Sequence, residues 1–191
     1  MERSYRDLQI KNFSDEGEFF VFTGVATTPN PDRMDDIVDP MGAKFAESIP
    51  LLWQHQHEKP IGKAKFGKPS KTGIPFSATI PVVKETGALK DRVDEAIQSI
   101  KYSLVTGVSI GFRVLNDAVE RLATGGLHFK EYEVVELSVA TIPANADAII
   151  YAVKAIDQTH LPASGLKMAR PIEKSPGVTG KKRKPILLHK R

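Results

Sequence analysis

The chain has 191 residues, 41% of them hydrophobic and 26% charged, enough for one domain with its own core and too few for two of ordinary size. Its formal charge of +4 is uneven: from Ser164 onward nine basic residues face the single acid Glu173, a net +8 that leaves the rest of the chain at −4, so the domain itself has no basic face for direct nucleic-acid binding. The absence of cysteine excludes disulfides, thiolate nucleophiles, zinc–thiolate sites and iron–sulfur clusters.

The N-terminal run MERSYRDLQIKNF is charged and has no apolar signal core, and nothing approaches the ~18 apolar residues of a membrane span. The expectation is a soluble, intracellular protein without membrane attachment. Residues 8–13 and 19–26 carry β-formers around Asp15-Glu16-Gly17 and predict a hairpin. TPNPDRMDD at 28–36 reads as a loop, followed by a short helix around 43–48. Leu51-Leu52-Trp53 predicts a buried strand that emerges into the polar QHQHEKP, with further strands near 61–66 and 74–83. From 89 to 104 the apolar residues Leu89, Val93, Ala96, Ile97, Ile100 and Leu104 fall at helical spacing. Gly107 ends that region, and Val108 to Val114 begins a strand. After a turn at Gly125-Gly126, residues 127–142 form a long β candidate, and 146–156 a closing helix. Prolines, glycines and lysines dominate 157–191, which reads as a disordered basic C-terminal tail. The fold class is α+β, with one domain over 1–156.

Three groups of side chains could carry chemistry. His55 and His57, followed by Glu58, would share one face of a strand and could approach a metal, although no third ligand is placed by sequence. A histidine could instead serve a serine, whose hydroxyl needs a general base to attack at neutral pH. Ser109 is the suggestive serine, because it lies between Gly107 and Gly111 in GVSIGF and small neighbours admit a substrate backbone or free main-chain donors. The base needs an orienting group, and Glu133 and Glu136 in EYEVVELSVATIP are the candidates. Their odd spacing puts them on opposite faces of a regular strand.

In chain order, FTGVATTPNPDRMDDIVDPMGAKF, LLWQHQHEKPIGKA, GVSIGF and VVELSVATIPANADAII resemble the prohead protease family of tailed bacteriophages, over roughly residues 18 to 152. The resemblance implies a catalytic pair of His55 and Ser109, completed by an acidic residue at Glu136, with Glu133 as the alternative third member. Val108 stands where the family often has leucine, and Leu137 where it usually has valine; both are apolar exchanges. The family looks related to the herpesvirus assemblins, which implies an assemblin-like β-barrel with surrounding helices. It further implies a serine endopeptidase without cofactor or metal that cleaves itself and the scaffolding segment of the major capsid protein. It would act inside the assembling procapsid in the host cytoplasm, where it could form a homo-oligomer. The alternative is a non-enzymatic capsid-assembly or scaffolding module on the same fold.

Overall fold

The computed structural model describes residues 9–10 and 18–156. In chain order the elements are β1 (Gln9–Ile10), β2 (Phe19–Thr27), β3 (Ile37–Val38), a 3-10 turn (Pro40–Gly42), β4 (Ala43–Lys44), β5 (Ile49–Trp53), β6 (Gln56–Phe66), β7 (Ile74–Pro81), α1 (Ala88–Lys101), β8 (Gly107–Val114), β9 (Val119–Arg121), β10 (Leu127–Phe129), β11 (Tyr132–Ala140) and β12 (Ile150–Ile156). A nine-stranded mixed sheet runs β1-β12-β2-β7-β6-β5-β11, with β4 and β8 also on β11. A small second sheet, β3-β10-β9, is not hydrogen-bonded into it as a ladder but packs on the same core through Val38 and Phe129. This is the α+β class.

The alternation of β7 is the clearest link from sequence to packing: Ile74, Phe76, Ala78 and Ile80 are buried, and Pro75, Ser77, Thr79 and Pro81 are not. β2 is buried along most of its length because it pairs on both sides, with β7 and β12, as expected of a central strand. Phe20, Phe22 and Phe76 from these strands join Leu51, Ile61, Val108 and Leu137 in one core cluster. α1 closes that core with Val93, Ala96, Ile97 and Ile100. Each such Val or Ile contributes roughly 1.5–3 kcal/mol by leaving water.

Several expectations need correction. The helix is shorter than 89–104: Leu89 and Leu104 are 50% and 73% exposed, so the two end positions of the apolar stripe are off the packed face. Ser103 turns left-handed at φ 56°, a common helix stop. Residues 43–48 are not helical, because Ala43–Lys44 is drawn into parallel pairing with Tyr132 and Glu133. The closing helix over 146–156 is instead strand β12, antiparallel to β2 from Ile150 to Ile156. That placement takes the edge of β2 that the N-terminal hairpin would have used, and Gln9–Ile10 pairs parallel with β12 instead. The span 127–142 is two strands, β10 paired with β9 and β3 and β11 in the main sheet. The basic tail lies outside the described residues.

A barrel with surrounding helices is finer than what is seen. Among the described residues there is one α-helix, and the ladder is not closed. The last strand, β8, does return toward β12, through a single bridge between Gly107 and Ile149 and the bonds Val108 N–H to Ala148 O at 3.0 Å and Ile150 N–H to Thr106 O at 2.9 Å.

Candidate active site

The site is built where β5 turns into β6 against β11. Trp53 pairs with Gln56, leaving Gln54 and His55 as a two-residue hairpin loop, and both have positive φ, 52° and 57°. Two consecutive left-handed residues are what a tight hairpin of this twist requires, and asparagine and glycine are its usual occupants. Each side chain here costs about 1–2 kcal/mol relative to a relaxed backbone. The turn is held by β11. Gln54 N–H donates to Val139 O at 3.0 Å, and its carboxamide bonds Thr141 Oγ1 at 2.8 Å and Thr141 N at 3.2 Å. His55 N–H donates to Ser138 Oγ at 3.0 Å.

On β11 the structure overturns the expected opposite faces of Glu133 and Glu136. The pairing with β8 shifts between Val134 and Glu136, so Val135 is a bulge residue and the strand's alternation restarts after it. Glu133, Glu136 and Ser138 therefore stand opposite Arg113, Gly111 and Ser109, on one face of the sheet. Their surroundings differ. Glu133 is partly exposed and ion-paired with Arg113. Glu136 is 4% exposed and accepts from His55 Nδ1 at 2.7 Å and from Ser138 Oγ at 2.8 Å.

A carboxylate can only accept, so Nδ1 carries the proton and Nε2 is left as the basic nitrogen. The Glu136 hydrogen bond, together with its charge, raises the imidazole pKa above the ordinary 6.5, against a lowering by partial burial. The ring keeps 44% side-chain exposure, enough to be met by a ligand from outside. Ser109 is the cross-strand partner of Ser138, which sets their Cβ atoms roughly 4.5–5.5 Å apart on the same face.

The structure thus brings His55, Glu136 and Ser109 into one neighbourhood and gives Glu133 a different partner. His57 lies in β6 and is exposed, whereas His55 sits in the turn, so the two do not share a strand face as a metal pair would. Among the described residues no group of three or more His, Asp or Glu could hold a metal, and no helix is long and apolar enough to cross a membrane.

Gly111 has a role that the sequence alone does not show. A Cβ built on it would lie 2.8 Å from Glu136 Cγ and 2.9 Å from Cδ, so the glycine makes room for the carboxylate rather than for a substrate. Ser138 was also missed. Its spacing of two from Glu136 on a strand was the available signal.

The outer edge of β8 forms one wall of a groove. Thr106 O and Val108 N–H point away from β11 into the β12 contact. By the period of two, the main-chain groups of Ile110 and Phe112 point the same way, where the described residues give them no backbone partner. Thr27, Asp32, Asp36, Ala144 and Asn145 line the groove opposite. The loops that follow β2 and β11 are stitched together by Arg33 N–H to Ala144 O at 3.1 Å, Arg33 Nε to Pro143 O at 2.9 Å and Asn145 Nδ2 to Thr28 O at 3.0 Å.

The chain is 45% identical over 189 residues to the capsid polyprotein of Pseudomonas phage PAJU2, covering 98% of this chain and 28% of that protein. It therefore spans little more than a quarter of that relative. It is 29% identical to the prohead protease of Escherichia phage T5, over 79% of this chain and 72% of that one. With the prohead protease of Enterobacteria phage HK97 the identity is 28%, over 81% and 68% of the two chains. Residues 32–162 match the family described as Caudovirus prohead serine protease, a span that contains the turn of His55, the strand of Ser109 and the carboxylate of Glu136, and the chain belongs to that family.

Proposed function

We propose that this chain is a serine endopeptidase in which Ser109 attacks a peptide carbonyl, His55 takes its proton and Glu136 holds the imidazole. The observation that carries the reading is the 2.7 Å bond between His55 Nδ1 and the buried Glu136, which fixes the tautomer with Nε2 free and favours the imidazolium formed during attack. An acyl-enzyme on Ser109 follows, and His55 returns the proton to the leaving amine. Water then releases the acyl group through the same base. Glu133, occupied by Arg113 at the surface, is not part of this relay.

The free edge of β8 supplies the substrate's place. An extended peptide laid along it would pair with the outward main-chain groups of Ile110 and Phe112 as an added strand, beside the nucleophile on the same strand. The Ile110 N–H adjoins Ser109 and faces this edge, which suits it to hold the oxyanion. The Gly111 N–H faces β11.

The substrates in this reading are the scaffolding segment of the major capsid protein and the protease itself, cut inside the procapsid in the host cytoplasm. Support comes from the family match and from the alignment of almost the whole chain with part of a capsid polyprotein. A full assemblin-like barrel, supported by the return of β8 toward β12, a homo-oligomer, and a domain boundary near residue 156 belong to the same proposal.

The test is co-expression of the full chain with the major capsid protein of its phage, reading the masses of both. Wild type should shorten the capsid protein, and Ser109→Ala should not, because loss of the nucleophile costs on the order of 10⁶ in rate while changing stability by less than about 1 kcal/mol. His55→Ala should be about as inactive. Cleavage by Ser109→Ala at the wild-type rate would refute the assignment. A folded wild type that neither cleaves nor reacts with a serine-directed phosphonate would mark a non-enzymatic assembly module.

A further inference from the structure

We infer that Ser138 is a positioning residue for this site, acting through Glu136 and through the His55 turn; the inference rests on the catalytic reading above. Ser138 is fully buried, at 0% exposure, and its single hydroxyl joins the two halves of the relay. It donates to Glu136 Oε2 at 2.8 Å and accepts from the main-chain N–H of His55 at 3.0 Å. A hydroxyl has one proton to give, and here it goes to the carboxylate oxygen that the imidazole does not use.

Each bond has a distinct effect. The bond to Oε2 sets the rotation of the carboxyl group, so that Oε1 faces His55 Nδ1. The bond from the His55 N–H anchors a residue held at φ 57°, a conformation that persists only where its surroundings fix it. Alanine at 138 would leave a buried carboxylate oxygen and a turn N–H without these partners at once. Ser138 is not itself a nucleophile in this arrangement: its proton points to Glu136, it meets the main chain of His55 rather than the free Nε2, and it is closed to solvent.

The experiment measures the rate at which a fluorophosphonate labels Ser109 in the full chain, as a function of pH, alongside a thermal melt. Ser138→Cys keeps the shape with a weaker donor, Ser138→Ala removes the group, and Ser138→Thr restores a hydroxyl. Labelling should fall about 10- to 100-fold in the Ala and Cys variants, with the acid limb moving to lower pH as Glu136 loses its hold on the imidazole, and Thr should recover to within about threefold. In a Glu136→Gln background, Ser138→Ala should add less than about threefold, because both changes act on one relay.

A Cys variant that labels at the wild-type rate would overturn the inference, whatever the fate of the Ala protein. So would a full additional loss in the Glu136→Gln background, which would show an independent structural role. If Glu136→Gln and His55→Ala slow labelling while the Ser138 variants do not, only the positioning role fails. If His55→Ala and Glu136→Gln label normally, the catalytic reading fails and this one with it.

Discussion

Replacing Gly111 with alanine tests the geometry of the site through a residue with no chemistry of its own. The added Cβ would lie 2.8 Å from Glu136 Cγ and 2.9 Å from Cδ, and ordinary contact begins near 3.4 Å, so the carboxylate must retreat by roughly half an ångström or more. The bond it makes to His55 Nδ1 is 2.7 Å, and a displacement of that size takes it to or beyond the ~3.2 Å limit of a good hydrogen bond. Misplacing a catalytic group by about 1 Å costs on the order of 100-fold, and the crowding itself costs about 1–3 kcal/mol of stability. Gly111 has no left-handed φ, so alanine meets no backbone penalty that could confuse the result. The assay is phosphonate labelling of Ser109 across pH with a parallel melt. A folded Gly111→Ala protein should label about 100-fold more slowly, with its acid limb shifted down. Labelling within threefold of wild type, at an unchanged pH midpoint, would refute the claim that the glycine exists to seat Glu136.

Glu136→Gln should lower activity sharply and move the acid limb of the rate profile downward toward 6.5, because the carboxylate that raises the His55 pKa is gone, whereas Glu133→Gln should stay near wild type and cost under about 1 kcal/mol from its surface pair with Arg113; the reverse ranking in labelling kinetics would move the third member to Glu133. The same raised pKa makes His55 a stabilising group below about 6.5 that loses its contribution as pH rises through its higher folded value, so denaturant melts of wild type minus Glu136→Gln should show a difference that shrinks between neutral and alkaline pH. Tyr132→Phe should melt at the same or a higher temperature, since the Tyr132 hydroxyl is buried without a hydrogen-bond partner among the described residues and an unsatisfied group of this kind costs about 1–3 kcal/mol; a drop in melting temperature would mean that the hydroxyl is bonded in solution.

The core strands and the helix are legible in the sequence because their signal is local. The alternation of Ile74 to Ile80 and the helical spacing of Val93, Ala96, Ile97 and Ile100 each report one buried face. The fate of 146–156 is not local. AIIYAVKAI contains both alanine, a good helix former, and β-branched residues, and what decides it is the vacant edge of β2, which no window of sequence contains. The same competition removes the N-terminal hairpin. At the site, Ser109, His55 and Glu136 were legible as residue types near glycines and strand ends, and their order along the chain added the family. That Glu136 rather than Glu133 meets the histidine was not legible from spacing, because a bulge at Val135 breaks the period of two on which any such argument depends.

The bulge in β11 and the left-handed turn at Gln54 and His55 meet at this one place, and they depend on one another. A regular β11 would turn Glu136 and Ser138 together away from the face that carries Glu133; the bulge brings all three to the face of Arg113, Gly111 and Ser109. A side chain at 111 would then strike the carboxylate, so β8 carries a glycine opposite it. A relaxed turn would carry glycine or asparagine at 54 and 55, but the proposed general base requires a histidine at 55. That substitution leaves about 2–4 kcal/mol of backbone strain over the two residues. The offset is visible in the bonds that tie the turn to Val139, Thr141, Ser138 and Glu136, each worth about 0.5–1.5 kcal/mol when neutral and more to a charged partner. The strain and its compensation are thus of similar size. A turn held in this way can fix the imidazole through Nδ1 without a rigid core around the ring, which leaves 44% of the side chain exposed.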